Sequence, residues 1–309
     1  MRIFVTGASG WIGFALVPEL IDGGHQVVGL ARSDASAAAL TGAGAEVVRG
    51  TVDDLDVLRT AAAGSDAVVH LAFKHDIAFS GDFQGASDAD RRAVDVFGDV
   101  LAGSDRPFVI ASGVAGLKSG QLATERDLPE IDGSALSGRA ATSMAVLDLA
   151  SRGVRSSVVR LAPTCHGDGD NGFMAALVAT AREKGVSGYV GDGANRWPAV
   201  HRLDAARLFR LAVEKAPAGS VLHGVAEEGV AIREVAEVIG RHLDVPVTSV
   251  SPEDAPGHFT WLAGFVGLDA PVSSALTREL LDWNPTGPGL IEDLDEGHYF
   301  RKGAAEPTA

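Results

Sequence analysis

The sequence predicts an α/β fold, in which a doubly wound parallel sheet carries a smaller C-terminal lobe. Three observations predict it. Short apolar runs alternate with amphipathic segments up to about residue 165, and the glycine-rich turn TGASGWIG follows the first run. Beyond that point the sequence is less regular and richer in Gly and Pro, as in HGDGDNG. We therefore expect a domain at residues 1–165 and a lobe at 166–309, with some of the later segments returning to the first domain.

The predicted elements alternate regularly through the first domain. The runs RIFVTG, QVVGLA, AEVVRG and AVVHLAF are predicted strands, and WIGFALVPELIDGG, ASAAALTGAG and DLDVLRTAAAG between them are predicted helices. Because the strands are short, apolar on both faces and separated by helices, they fit a parallel sheet with crossover connections. A helix at about 88–102, the strand PFVIASG, a helix over 137–152 and the strand RSSVVRLAP continue the series.

Composition excludes several classes of partner. The chain has 309 residues, of which 46% are hydrophobic, and a formal net charge of −15. That charge argues against a nucleic acid partner, since such proteins need a cationic surface. No run of 18 apolar residues suggests a membrane span, and the N-terminus enters a strand at once, so we expect a cytoplasmic protein. Cys165 is the single cysteine, and no set of residues has metal-ligand spacing, so we expect no metal.

The glycine turn after the first strand predicts a dinucleotide site. Glycines there let main-chain N–H groups approach a diphosphate, whose charge then lies at the positive end of the first helix. The position of the turn in a βαβαβ series favours this hypothesis over a tight turn without a ligand. The residues expected to bind the coenzyme in this turn are Gly7, Ser9, Gly10, Trp11, Ile12 and Gly13.

The end of the second strand indicates which coenzyme is bound. QVVGLA ends at Ala31, and Arg32 and Ser33 follow it. A guanidinium and a hydroxyl suit the 2′-phosphate of NADP, whereas an acidic residue would bind the ribose of NAD. Asp34 could bind the ribose of NAD if the second strand ended later than Ala31. We expect NADP, with NAD as the alternative.

Several motifs in order resemble the extended or atypical short-chain dehydrogenases/reductases, the group that includes NAD-dependent epimerases and dehydratases. TGASGWIG resembles the TGxxGxxG turn of that family, AVVHLAF its fourth strand, FVIASGVAG its fifth and VVRLAPTCHGDG its sixth. The resemblance implies a Rossmann domain that binds NAD(P), a substrate-binding C-terminal lobe and often a homodimer. It also implies coenzyme contacts from Asp54, Leu71, Ala72 and Phe73.

The YxxxK motif of that family is missing. In the family the tyrosine acts as acid and base, and the lysine lowers its pKa and holds the ribose. The two tyrosines of this chain, Tyr189 and Tyr299, lie beyond the helix at 137–152 that should carry the motif. Counting back from RGVRSSVVR places Arg139 in the tyrosine position and Ser143 in the lysine position.

Three residues are candidates for the chemistry that remains. Ser112 keeps the serine position at the carboxyl end of the fifth strand, where ligands bind in open α/β sheets. His75 follows the fourth strand and can titrate near neutrality, which makes it our first choice of proton donor. Arg139 could hold the coenzyme or an anionic substrate.

Asp95 takes the place of an Asn that the family often has on the preceding helix.

Apolar and aromatic side chains could line the substrate pocket, although such side chains most often belong to the core. If they line it, the substrate is apolar and cyclic or aromatic. These residues are Phe73, Phe79, Phe83, Phe173, Met174, Trp197, Phe259, Trp261 and Phe265.

We therefore expect an NADP-dependent oxidoreductase that transfers hydride to or from a small apolar carbonyl-type or conjugated compound. His75, Ser112, water or the substrate itself would supply the proton. Two alternatives stay open: a sensor or scaffold that binds NAD(P) without catalysis, and a non-redox isomerase or epimerase.

Overall fold

A computed structural model describes residues 1–129 and 137–301, without the side chain of Phe79. The strands are β1 (Arg2–Thr6), β2 (Gln26–Ala31), β3 (Glu46–Arg49), β4 (Ala67–His70), β5 (Pro107–Gly113), β6 (Arg155–Leu161), β7 (Thr164–His166), β8 (Ser187–Val190), β9 (Arg196–His201), β10 (Ser220–Gly224), β11 (Glu227–Ala231) and β12 (Val247–Val250). The α-helices are α1 (Trp11–Asp22), α2 (Asp34–Gly42), α3 (Leu55–Ala63), α4 (His75–Phe79), α5 (Phe83–Leu101), α6 (Ser137–Asp148), α7 (Phe173–Lys184), α8 (Arg202–Lys215), α9 (Ile232–Leu243), α10 (Ala255–Phe259), α11 (Ala263–Val266), α12 (Ala275–Leu281) and α13 (Leu290–Asp295).

The central sheet has seven strands in the order β10-β6-β5-β4-β1-β2-β3, and every neighbouring pair is parallel. This confirms the predicted doubly wound α/β fold. Side chains of a strand point alternately to its two faces. Thus Ile3 and Val5 of β1 join one buried apolar cluster, while Phe4 joins the cluster on the other face.

The sheet is completed by segments far along the chain. β10 pairs with β6 from Ser220 opposite Ser157 to Gly224 opposite Leu161. Helix α8 packs against α1 and shares a core cluster with it through Leu16, Leu20 and Phe209. Residues from the region expected for the small lobe therefore form one edge and part of one face of the main domain.

The small lobe has its own apolar core. Strands β11, β9 and β7 form one sheet, β12 and β8 pair separately, and α7 and α9 pack beside β8. Met174, Trp197 and Phe259 are almost fully buried in this core. They stabilise the lobe and do not present a surface to a ligand. None of the helices in the described ranges is long and apolar enough to span a bilayer.

Candidate coenzyme and active site

The turn between β1 and α1 closely approaches the chain that follows β4. Gly7 has a φ of +66°, and a Cβ on it would lie 2.7 Å from the nitrogen of Ala72. A Cβ on Gly13 would lie 2.1 Å from the oxygen of Gly7. Only glycine fits at these two positions. The turn thus keeps main-chain atoms exposed beside the first residues of α1.

The amino end of α1 has the features of an anion site. Gly10 is the N-cap, no side chain caps the helix, and the first turn contains no acidic residue. The first amides of a helix lack intrahelical acceptors, and the helix dipole makes this end positive. A diphosphate therefore fits the turn that contains Gly7, Ser9, Gly10, Trp11, Ile12 and Gly13.

The Trp11 side chain ties the turn to the chain after β6. Its indole N–H donates to the carbonyl oxygen of Cys165 at 2.8 Å. The guanidinium carbon of Arg202, the first residue of α8, lies 4.4 Å from the centre of the indole ring. Elements from both halves of the chain therefore meet beside the turn.

Strand β2 ends at Ala31, so Arg32 and Ser33 follow the strand directly. Ser33 is the N-cap of α2, and its hydroxyl accepts a hydrogen bond from the Ser36 N–H at 3.1 Å. Arg32 is exposed, with a nitrogen 3.9 Å from an oxygen of Asp76. Such a distant, exposed pair is weak, which leaves the guanidinium available to a ligand.

Asp34 and Asp54 are both engaged by neighbouring residues. Asp34 begins α2 and pairs with Arg49 at 2.8 Å. Asp54 accepts hydrogen bonds from the Thr51 N–H at 2.7 Å and the Thr51 hydroxyl at 2.9 Å, and these bonds lower its pKa. Asp54 thus shapes the loop at the carboxyl end of β3.

A buried chain of hydrogen bonds starts under the glycine turn. The Ala72 N–H donates to the Thr6 hydroxyl at 3.3 Å, and that oxygen lies 2.6 Å from Nδ1 of His70. Nε2 of His70 lies 3.1 Å from Asp90 of α5. If Thr6 donates to Nδ1, the opposite nitrogen of a neutral His70 donates to the Asp90 carboxylate.

Sequence reasoning missed Asp90 and selected Asp95 instead. Asp95 lies on the exposed side of α5 and pairs with Arg91 at 2.8 Å. Asp90 is buried, which works to raise its pKa, but the bond from His70 and the positive Arg139 outweigh burial and lower it. In the structure Asp95 therefore does not contact the buried pair of His70 and Asp90. The helical period was the signal that could have found Asp90, since it shares the buried face of α5 with Ala86, Ala93 and Phe97.

Arg139 lies among the residues that follow β4 and β5. One of its nitrogens donates to the carbonyl oxygen of Ala111 at 2.7 Å, and its guanidinium carbon lies 4.0 Å from the centre of the Phe73 ring. The two contacts fix the cation next to the carboxyl end of β5. Phe83 extends this aromatic surface, with its ring centre 6.4 Å from that of Phe73.

His75 begins α4, and its ring centre lies 5.1 Å from that of Phe73. The surrounding protein shields the imidazole ring from water, which lowers its pKa to about 4, and the nearby Arg139 cation lowers it further. The residue as a whole is solvent-exposed. The neutral ring at pH 7 can accept a proton but is a poor general acid.

Ser143 and Ser112 form a pair of hydroxyls. Their oxygens lie 2.9 Å apart, and the Ser143 oxygen lies 3.0 Å from the carbonyl oxygen of Arg139. Ser143 has one hydroxyl proton for these two acceptors. When it goes to Ser112, the Ser112 proton is free to point toward a substrate oxygen.

Comparisons with known proteins agree with this geometry. A family model described as NAD(P)H-binding matches residues 7–117. A solved structure of the dTDP-glucose 4,6-dehydratase DesIV from Streptomyces venezuelae, with NAD bound, has a TM-score of 0.78 and 20% identity, and covers 98% of this chain and 97% of that one. It shares the fold.

Two relatives of known sequence match nearly the whole chain. The uncharacterized Schizosaccharomyces pombe protein C2A9.02 is 48% identical over 302 residues, which cover 97% of this chain and 100% of the relative. The chain belongs to the same family as this relative, an NAD(P)-binding family with the fold of the extended short-chain dehydrogenases/reductases. A Stigmatella aurantiaca relative, 4-hydroxy-2-methyl-3-oxo-4-farnesyl-3,4-dihydroquinoline-1-oxide ketoreductase, is 28% identical over 231 residues, which cover 72% of this chain and 67% of that protein.

This NAD(P)-binding fold brings together the main residues that the sequence singled out. Arg139 and Ser143 both lie on α6, one helical turn apart. Ser112 lies at the carboxyl end of β5, and Phe73 follows the carboxyl end of the neighbouring strand β4. The site offers one fixed cation, a pair of neutral hydroxyls and a neutral imidazole. It can stabilise negative charge on an oxygen, but among these groups it has no strong acid.

Proposed function

We propose that the protein is an NADP-dependent oxidoreductase, which transfers hydride to or from a small apolar carbonyl-type or conjugated substrate without the Tyr-Lys pair. The observation that carries the proposal is the position of Ser112 and Arg139 at the carboxyl end of β5. The glycine turn after β1, where no side chain caps α1, lies at the same edge of the sheet. Ligands of open α/β sheets bind at that edge.

The bound nicotinamide would supply or accept the hydride, and the protein would position the reacting atoms. The glycine turn would hold the diphosphate, and Arg32 and Ser33 would hold the 2′-phosphate. The Ser112 hydroxyl would donate a hydrogen bond to the substrate oxygen. Arg139 would stabilise the negative charge that develops there, which is where electrostatic stabilisation lowers a barrier most. Water would then complete proton delivery.

The sequence relationship to a ketoreductase supports a carbonyl substrate. The aromatic surface of Phe73 and Phe83 supports an apolar one. A second candidate function, coenzyme binding without catalysis, is supported by the hydrogen bond that Arg139 donates to the carbonyl oxygen of Ala111. Our assignment of the neutral Ser143 to the position of the family's lysine also supports it.

Titration of the purified protein with NADPH and NADH, followed by quenching of tryptophan fluorescence, tests the coenzyme assignment. We expect NADPH to bind more tightly. Arg32→Gln should weaken NADPH binding about tenfold to hundredfold, because a hydrogen bond to a charged group contributes on the order of 1.5–3 kcal/mol. NADH binding should stay unchanged, since NADH has no 2′-phosphate.

Arg59→Gln is the matched control, because it removes an arginine of α3 for which we assign no role at the coenzyme site. Equal affinity of the wild type for both coenzymes would contradict NADP preference. Oxidation of NADPH by a panel of ketones and enones separates the two candidate functions. Turnover that Ser112→Ala reduces by a factor of at least ten supports the oxidoreductase, whereas binding without turnover across the panel supports the second candidate.

A further inference from the structure

Arg202 lies beside the coenzyme turn although it belongs to the second half of the chain. Its guanidinium carbon lies over the Trp11 ring at 4.4 Å, and Trp11 is the first residue after the N-cap of α1. The indole cannot swing away easily, because its N–H is bonded to the carbonyl oxygen of Cys165. The ring therefore serves as a fixed platform for the cation.

The charge of Arg202 has no anionic partner among the residues that the structure describes. Two other arginines of α8 differ in this respect. Arg207 pairs with Asp204, and Arg210 pairs with Glu19 at 2.7 Å and with Glu214 at 3.0 Å. Other partly buried arginines without a carboxylate, such as Arg139 and Arg155, donate hydrogen bonds to main-chain carbonyl oxygens, whereas the contact of Arg202 is with the Trp11 ring.

The position of Arg202 in its helix is also unfavourable for a cation. It is the first residue of α8, where the helix dipole is positive. The acidic residue of that turn, Asp204, is occupied, since it accepts hydrogen bonds from the N–H groups of Thr286 at 2.9 Å and Gly287 at 2.7 Å. An anion next to Arg202 would offset both the dipole and the unpaired charge.

We infer that Arg202 binds the diphosphate of the coenzyme, from the opposite side to the main-chain amides of the glycine turn. The inference rests on the proposed function, because it requires that the turn hold a dinucleotide. It adds a residue of the C-terminal half to a site otherwise formed by the first 143 residues. Arg202 would contact the part of the ligand that NADPH and NADH have in common.

The test measures dissociation constants of Arg202→Gln for NADPH and for NADH. Both should rise by the same factor, about tenfold to hundredfold, because a charge-assisted hydrogen bond is lost in each complex. The ratio of the two constants should stay as in the wild type. Arg32→Gln, in contrast, should change that ratio.

Two further measurements separate binding from folding. Arg202→Lys should keep part of the affinity, since lysine retains the charge but lacks the planar fork. Arg301→Gln is the matched control, because Arg301 is an exposed arginine 3.9 Å from Asp168 of the neighbouring loop, and it should bind like the wild type. Thermal unfolding of each variant checks that the fold is intact.

The possible failures are distinct. If the wild type binds the coenzymes and Arg202→Gln binds both with unchanged affinity, Arg202 does not contact the ligand. If Arg202→Gln weakens NADPH alone, the residue contacts the 2′-phosphate and the diphosphate assignment is wrong. If the wild type binds neither coenzyme, the proposed function itself is wrong.

Discussion

Under the proposed function, Arg139 and Ser143 determine what chemistry the site can support. A tyrosine beside a lysine can release and recover a proton, but a guanidinium and a serine hydroxyl keep theirs at neutral pH. The pair can therefore stabilise charge without serving as the acid. A substrate whose reduced form takes its proton from water suits such a site better than one that needs an enzymatic acid.

The positions of many individual site residues could be predicted from the sequence, because residues that follow parallel strands lie at the carboxyl edge of the sheet. Counting residues back from β6 assigned Arg139 and Ser143 to the positions of the family's tyrosine and lysine, and in the structure both residues contact β5. The chain from Thr6 through His70 to Asp90 could not be predicted, since it depends on how α5 is rotated against β4. Arg202 was missed because it is distant in sequence from the turn that it approaches.

Adding a methyl group at Gly13 by substitution tests whether binding and stability require the close approach of Gly13 to the Gly7 oxygen. Gly13→Ala puts a Cβ 2.1 Å from the Gly7 oxygen, so α1 must move away from the turn. We expect a loss of about 1–3 kcal/mol in the free energy of unfolding, as for other overpacked sites, together with weaker NADPH binding. Urea denaturation and fluorescence titration measure the two effects.

Gly42→Ala is the control for this change. Gly42 ends α2 and has open space around the added Cβ. Alanine there should leave stability unchanged or raise it by up to about 1 kcal/mol, because alanine favours the helix. A stable Gly13→Ala protein with the affinity of the wild type would show that the turn does not need this glycine.

The boundaries of the elements depend on capping as much as on apolar pattern. The sequence predicted a helix from about residue 88, but α5 begins at Phe83. The Asp82 carboxylate accepts a hydrogen bond from the Gly85 N–H at 2.8 Å and so starts the helix earlier. Helix α4 lies where a loop was expected, because five residues are too few to show a helical period.

The segment between β7 and α7 is held by a buried carboxylate. Asp170 accepts hydrogen bonds from the Gly172 N–H at 2.7 Å and the Tyr299 hydroxyl at 3.0 Å. Burial raises the pKa of Asp170 to about 6, against the opposing effect of these bonds. The Asp170 carboxylate therefore binds a proton more readily in the folded state than in the unfolded state.

This shift makes the stability of the segment depend on pH. The contribution of Asp170 should be full below about pH 4 and should be lost as the pH rises through about 6. The free energy of unfolding of the wild type relative to Asp170→Asn should thus fall between pH 4 and pH 7. Urea denaturation at several pH values measures this difference. A difference that rises over this range would contradict the prediction, and Asp168→Asn controls for the loss of an exposed carboxylate nearby.

On the scale of the whole molecule, the two halves of the chain depend on each other. Strand β10 covers the edge of β6, and Trp283, which is 1% exposed, donates its indole N–H to the Asp204 carbonyl at 3.1 Å and belongs to the core cluster of β1. The parallel sheet could be predicted from alternating apolar runs. The return of β10 could not, because SVLHG resembles any other short strand, and tertiary contacts determine where it pairs.

A fragment of residues 1–165 tests this dependence. It would expose the edge of β6 and the face of α1 that α8 covers, so it should be insoluble or should lack a cooperative unfolding transition. Solubility and circular dichroism, compared with the full chain, measure this. A soluble fragment that unfolds cooperatively and binds NADPH like the full chain would show that the first domain is autonomous.

Strand β10 is synthesised long after β6, the strand with which it pairs, and this order affects how the protein folds during synthesis. The ribosome releases β6 well before Ser220 to Gly224, so the nascent sheet has an unpaired border strand throughout that interval. An unpaired border strand can pair with strands of other chains. Production of this protein should therefore be sensitive to chaperone supply and to translation speed between residues 162 and 224.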